Sequence, residues 1–257
     1  MTGLNAINWS GINRGSLFGR VLRIPLKLLP ANSIVRIRRG PAKGLRWIVG
    51  SSTHGCWLGT YEMDKQRALS QFVKPGMTVY DIGAQAGFYT LAFARQVADA
   101  GRVLAFEPCP PESRFLLRHV LMNHIENVTV VAAAVSDHAG LSSFTTGRGP
   151  TMNSIAAAGD GALMVSPITL DSAGLPPPAL IKMDIEGAES AALSGARETL
   201  RRDRPVVFVA LHSPEQRRLC AEILRSAGYS LRDLEHHPIS GTPETDEIYA
   251  VPAPASR

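Results

Sequence analysis

Three stretches of this 257-residue chain carry residues whose chemistry goes beyond packing. In 78–90, TVYDIGAQAGFYT, Asp81 precedes Gly83 and Gly87 in a D-x-G-x-x-x-G spacing. Glycine takes positive φ and lets backbone approach a ligand closely, and a strand–turn–helix corner is where open α/β sheets bind nucleotide-like ligands. The dinucleotide fingerprint G-x-G-x-x-G requires glycine at 85 and 88, where the chain has Gln85 and Phe88. A carboxylate ahead of the turn suits a ligand that carries positive charge rather than a pyrophosphate. Glu107 ends the next strand, where an acid can accept hydrogen bonds from both hydroxyls of a ribose. Further on, Asp184 and Glu186 stand two apart in an extended segment, so their side chains point the same way. His212 follows the fifth strand, which brings it near Asp184.

The elements that must position these residues alternate regularly. A hairpin is expected from 34–37 and 45–49, then a helix over 64–73 that Lys74-Pro-Gly76 stops before the central strand. Strand 102–107 leads to helix 111–123, with Pro111 suited to a first turn. Residues 128–135 read as a third strand, almost wholly apolar, as in a parallel sheet covered on both faces. A short strand over 141–145 and a mobile small-residue loop over 147–161 follow. Then come strand 179–184, helix 188–201, strand 205–211 and helix 214–227. Segments 229–234 and 247–251 would close the sheet as an antiparallel pair. Such alternation predicts an α/β fold with one Rossmann-like, doubly wound, mostly parallel sheet. It divides the chain into an N-terminal extension (1–33), a hairpin and helix covering the site (34–75) and the sheet domain (76–257).

Charge is distributed unevenly. The nine basic residues up to Tyr61 meet no acid, so the rest of the chain carries 18 basic and 22 acidic residues. The basic excess belongs to an arm able to approach an anionic surface, a membrane periphery or an anionic acceptor. Over 17–29, Arg20, Arg23 and Lys27 share one helical face and Leu17, Val21, Ile24 and Leu28 another, with Pro25 set to kink or end that helix. This segment is too short and too charged to span a bilayer. Three widely spaced cysteines, Cys56, Cys109 and Cys220, form no C-x-x-C pair. They favour a reducing cytoplasm over a disulfide framework or a zinc site.

Taken in order, Asp81-Ile-Gly-Ala-Gln-Ala-Gly87, Ala105-Phe-Glu-Pro108 and Ile181-Lys-Met-Asp-Ile-Glu-Gly-Ala-Glu189 resemble the FkbM-type S-adenosylmethionine-dependent methyltransferases. The likeness runs over about residues 55–251, and the D-x-E-G-A-E stretch is its most specific part. Gln85 stands where the family usually carries Asn; both are amides with the same donors and acceptors. The resemblance implies a class I methyltransferase fold and S-adenosyl-L-methionine as cofactor. Gly83, Ala84, Gln85 and Gly87 would then turn against its methionine part, with Asp81 near the amino group and Glu107 on the ribose. Ser136 and Asp137 would fall at the adenine. The stretch Gly55-Cys-Trp-Leu-Gly-Thr-Tyr-Glu62 also resembles the family, and its aromatics suit a pocket wall.

Asp184 and Glu186, beside a methyl donor, would include a general base for an acceptor hydroxyl. His212 has three readings: that base, a metal ligand with the two acids, or a helix-start histidine. No metal is expected, because the candidate ligands follow no recognised metal spacing. Lys182 is expected to be structural within its strand. The acceptor implied is a sugar, glycolipid or other hydroxylated metabolite. No nucleic-acid partner is expected, since no aromatic-basic module or N-P-P-Y-like stretch occurs. The rivals are a nicotinamide-dependent oxidoreductase, disfavoured by Gln85 and Phe88, and a noncatalytic cofactor-fold protein that binds a partner through its arm.

Overall fold

Runs of Val, Ile, Leu and Phe with no polar partner to satisfy become the interior strands of one sheet. The structure, a computed structural model, describes residues 29–145, 154–155 and 163–254. It begins with the hairpin β1 (Ile34–Arg36) and β2 (Arg46–Ile48), followed by α1 (His54–Leu58) and α2 (Met63–Phe72). The central unit is β3 (Thr78–Ile82), α3 (Phe88–Val97), β4 (Arg102–Phe106), α4 (Pro110–Met122) and β5 (Val128–Val131). Short strands β6 (Ala134–Val135), β7 (Ser142–Thr145), β8 (Ser154–Ile155), β9 (Leu163–Val165) and β10 (Pro167–Ile168) come next. The chain then runs through β11 (Leu180–Met183), α5 (Glu189–Ser194), α6 (Arg197–Asp203), β12 (Val206–Ala210) and α7 (Pro214–Ser226). It closes with β13 (Tyr229–Asp233), β14 (Pro238–Ile239) and β15 (Glu247–Pro252).

The main sheet has the order β14-β13-β15-β12-β11-β3-β4-β5. Strands β12, β11, β3, β4 and β5 run parallel, and β15 lies antiparallel between β12 and β13. This is the Rossmann-like, doubly wound arrangement that the alternation predicts. Successive residues of each strand serve opposite faces. Tyr80, Ile82, Ile181, Met183, Val207 and Val209 join one apolar core with α5, α6 and α7. Val79, Leu180 and Phe208 join another with α2, α3 and Trp47 of the hairpin.

Two elements differ from expectation. The apolar run 128–135 stops as a sheet strand at Val131, and Ala134–Val135 pairs instead with β10. Because β5 is the edge, its Thr129 is exposed and the run is not covered on both faces. The helix expected over 188–201 breaks into α5 and α6. A Cβ on Gly195 would lie 2.0 Å from the Ser136 carbonyl oxygen, and Asp171 accepts the N–H groups of Glu198 (3.0 Å) and Thr199 (2.8 Å). That carboxylate caps a fresh helix start. The helix expected over 17–29 lies outside the described residues except at its end. So does the loop at 147–161, apart from β8. Among the described residues no helix is long and apolar enough to cross a membrane.

His119 fastens the hairpin to the sheet. Its ring stacks on Trp47 with centroids 4.0 Å apart. Nε2 accepts the Ile48 N–H at 3.0 Å, so Nδ1 carries the proton and donates to the Ala86 carbonyl at 2.7 Å. Burial pushes this imidazole down to about 4. Folding therefore gains stability from a neutral His119 above its unfolded value of 6.5, and loses it as the pH falls through 6.5 towards 4. Urea midpoints should drop across that window in the wild type and fall less steeply in His119→Gln.

Candidate active site

The turn after β3 is held by its neighbours before any ligand enters. Gly83 has φ +76°, and a Cβ there would sit 1.9 Å from the Asp184 carbonyl oxygen. Only glycine lets β3 and β11 end this close together. Phe106 accepts the N–H groups of both Gly83 and Ala84 at 3.0 Å. Gln85 takes a left-handed φ of 48°, and its N–H donates to Glu107 Oε2 at 2.8 Å. Gly87 leads into α3.

Glu107 stands at the end of β4, 4% exposed, where Oε1 accepts the Cys109 N–H at 2.8 Å. Burial pushes its carboxyl up to about 7, against the pull of those two N–H groups. Each oxygen keeps a lone pair for a further donor. In front of it opens a crevice between Gly83, Gln85, Glu107 and the apolar Ala133–Val135, Phe144 and Ile185. An acid at one end of apolar walls matches an adenosine: a diol at the carboxylate, a flat base between side chains. These residues fit S-adenosylmethionine.

Beyond the turn the acids gather around two cations. Lys65 on α2 is 2% exposed; its ammonium lies 2.7 Å from Glu247 Oε1, 3.2 Å from Asp184 Oδ2 and 3.5 Å from Glu62 Oε2. Burial would lower the ammonium, but Asp184, Glu247 and Glu62 outweigh it and hold it well above the usual range. Asp184 feels burial upward, yet Lys65, Lys182 and His212 hold its carboxyl below the usual range. His212 Nδ1 donates to the fully buried Glu189 Oε1 at 2.7 Å. Its Nε2 faces Asp184 Oδ1 at 3.4 Å and Glu186 Oε2 at 3.5 Å. That hydrogen bond to Glu189 overrides burial and raises the imidazole to about 9. Burial is also the main force raising Glu186. Tyr61, Glu62, Asp184, Glu186, His212, Asp246 and Glu247 border one open pocket next to the turn.

Residues 81–231, more than half of the chain, match the Methyltransferase FkbM domain. The chain belongs to the FkbM methyltransferase family. No curated protein matches it. Among solved structures it is similar to a methyltransferase FkbM from Methylobacillus flagellatus, at 19% identity and a TM-score of 0.49, covering 68% of this chain and 43% of that one. It therefore spans less than half the length of that relative. A SAM-dependent O-methyltransferase from Thermotoga maritima is similar at 12% identity and a TM-score of 0.49, over 77% of this chain and 67% of that chain. With likeness this distant, the family assignment stands on the matched domain.

Within this FkbM domain the expected site residues divide between the crevice and the layer beneath it. Asp81 is fully buried beneath the crevice, accepting from Thr90 at 2.6 Å and paired with Lys182 at 3.1 Å. There it braces the turn from below through Thr90 and Lys182. Ser136 and Asp137 follow Val135 of the crevice wall. The Ser136 N–H follows β6 to Ile168, Asp137 is exposed beside His138, and Ala133–Val135 and Phe144 form the wall. His212 holds Nδ1 on Glu189 and faces Asp184 and Glu186 with Nε2, a setting that favours its charged form. Arg36 and Arg38 are exposed and do not border the crevice, whose mouth is acidic. From the N-terminal quarter it is Trp47, Cys56 and Tyr61 that reach the turn.

The spacing argument missed Lys65, Glu247 and Phe144. Lys65 sits on the same inward face of α2 as Leu69, and a lysine on an apolar helix face was the available signal. Replacing it by Met would leave three carboxylates without their cation, and such a break costs about 3 kcal/mol or more. Denaturant unfolding of Lys65→Met should show that loss, and adding Glu247→Gln should recover part of it.

Proposed function

We propose that this chain is an S-adenosylmethionine-dependent methyltransferase acting on a hydroxyl of a sugar, glycolipid or other small metabolite. One observation carries the reading: buried Glu107, the glycine turn, Asp184 and Glu186 line one crevice with the apolar Ala133–Val135 and Phe144. When bound, the sulfonium supplies an activated methyl group. Glu107 accepts the ribose hydroxyls, the apolar wall excludes water, and the Gly83–Gln85 turn orients the methionine end. With that group held there, Glu186 would orient an acceptor hydroxyl for methyl transfer. The hydroxyl proton passes to Glu186, since Asp184 Oδ2 is already held by Lys65. Alignment supplies the larger part, roughly 7–11 kcal/mol, and a positioned base about 10²–10⁴-fold.

The oxidoreductase alternative lacks a glycine-rich turn with room for a pyrophosphate, since Gln85 and Phe88 occupy those positions. The acidic mouth suits a neutral hydroxylated acceptor. Arg36 and Arg38, exposed outside it, suit contact with an anionic or membrane surface.

Incubation with methyl-labelled cofactor and fractionated extract should place label in a low-mass or glycan fraction; label only in nucleic acid would overturn the reading. Glu186→Gln should lower kcat by about 10²-fold or more with Tm unchanged; an unchanged kcat assigns the proton elsewhere. Protonation of free Glu107 removes an acceptor, so affinity for S-adenosylhomocysteine should rise as the pH increases through about 7 and then level. Glu107→Gln should flatten that profile and weaken binding by about 1–3 kcal/mol, as read by calorimetry.

A further inference from the structure

The set Asp184, Glu186 and His212 has the geometry of a metal site. We propose that Asp184 Oδ1, Glu186 Oε2 and His212 Nε2 bind one divalent first-row cation such as Mn²⁺, with open positions facing the acceptor pocket. The three ligand atoms lie within 4.8 Å of one another. Nε2 stands 3.4 Å and 3.5 Å from the two oxygens. Those gaps exceed the roughly 2.7–2.9 Å of charge-assisted hydrogen bonds. Ligands about 2.1 Å from a shared ion stand about 3.0–3.4 Å apart in octahedral or tetrahedral geometry, close to the separations seen.

The surroundings are those of a metal-bound histidine. Such a histidine donates its other ring N–H to a carboxylate, which fixes the tautomer and turns the free nitrogen towards the ion. Here Nδ1 donates to Glu189 Oε1 at 2.7 Å. Glu189 is fully buried against His212, and its Oε2 has no hydrogen-bond partner. Oε1 also accepts the Gly187 N–H at 2.9 Å, and His212 is the ionisable group paired with this buried carboxylate. Charge points the same way: Glu62, Asp184, Glu186, Glu189 and Glu247 pair with Lys65 and His212, so that among these ion pairs carboxylates outnumber cations. Two carboxylates with one imidazole favour a first-row cation over Ca²⁺, because imidazole is a ligand for Mn²⁺, Fe²⁺ and Zn²⁺. Binding exchanges the Nε2 proton for the ion. The role of the ion rests on the methyltransferase reading: an acceptor hydroxyl on the open positions would be positioned and made more acidic. The second oxygen of Glu186 remains to take its proton.

The test uses the full chain, stripped with chelator and titrated with Mn²⁺ alone, without cofactor or acceptor. Electron paramagnetic resonance should show one saturable ion per chain, with nitrogen modulation from the imidazole. His212→Ala should abolish that modulation, and both it and Glu186→Gln should weaken binding at least tenfold, with circular dichroism confirming that they fold. Asp246→Asn, at the same acidic mouth, should change affinity less than twofold. No saturable Mn²⁺ at millimolar concentration overturns the proposal, as does binding without nitrogen modulation or binding as sensitive to Asp246→Asn as to Glu186→Gln. Separate calorimetry with S-adenosylhomocysteine keeps the two readings apart. Cofactor binding without an ion site removes this proposal alone, and an ion site without cofactor binding removes the methyltransferase reading alone.

Discussion

The crevice depends on the seam between β3 and β11. Their parallel register sets Asp81 opposite Lys182, and the two form an ion pair with almost no exposure. The Lys182 ammonium also donates to the Gly83 carbonyl at 3.0 Å. Beyond it, the missing side chain of Gly83 admits the Asp184 carbonyl. A buried ion pair adds little net stability over an apolar pair, but breaking one partner is costly. Its effect here is on register. A one-residue slip of β11 would turn Lys182 to the other face and move Asp184 away from the turn.

That seam couples two halves of the chemistry. One strand end presents the turn and, through Gln85, meets Glu107 at the end of β4. The other presents Asp184, which Lys65 holds from α2 and His212 faces from beyond β12. Tyr89 stands between, its hydroxyl on Glu62 and its ring 5.7 Å from the Lys65 ammonium and 5.4 Å from that of Lys182. Residues 34–75 are therefore part of the site: they bring the cation that keeps Asp184 ionised and the Tyr61 and Trp47 walls beside the turn.

Local pattern carried most of the architecture. The glycine turn and Glu107 at a strand end were legible because turn chemistry and strand period are written within a few residues. Asp184 and Glu186 do share a crevice, but Glu186 reaches it from a turn with a left-handed φ of 54° and not by strand alternation. What depends on partners far along the chain was not legible. The break at Gly195 needs the Ser136 carbonyl, and the early end of the third strand needs β10. Lys65 reaches Asp184 across 119 positions and Glu247 across 182, so nothing near Lys65 announces its role. Asp81 likewise owes its surroundings to distant residues, since Thr90 and Lys182 hold its carboxylate beneath the turn. The charge of the N-terminal quarter, conspicuous in composition, does not line the crevice at Arg36 or Arg38.

The central claim is that the crevice between the Gly83–Gln85 turn and Glu107 is built for the adenosine and amino-acid halves of one sulfur cofactor. Calorimetric titration of the full chain with S-adenosylhomocysteine and, separately, with NAD tests it most directly. The account predicts one S-adenosylhomocysteine per chain, with the negative heat-capacity change of apolar burial, and no saturable heat with NAD. Saturable NAD binding with no response to S-adenosylhomocysteine would contradict it.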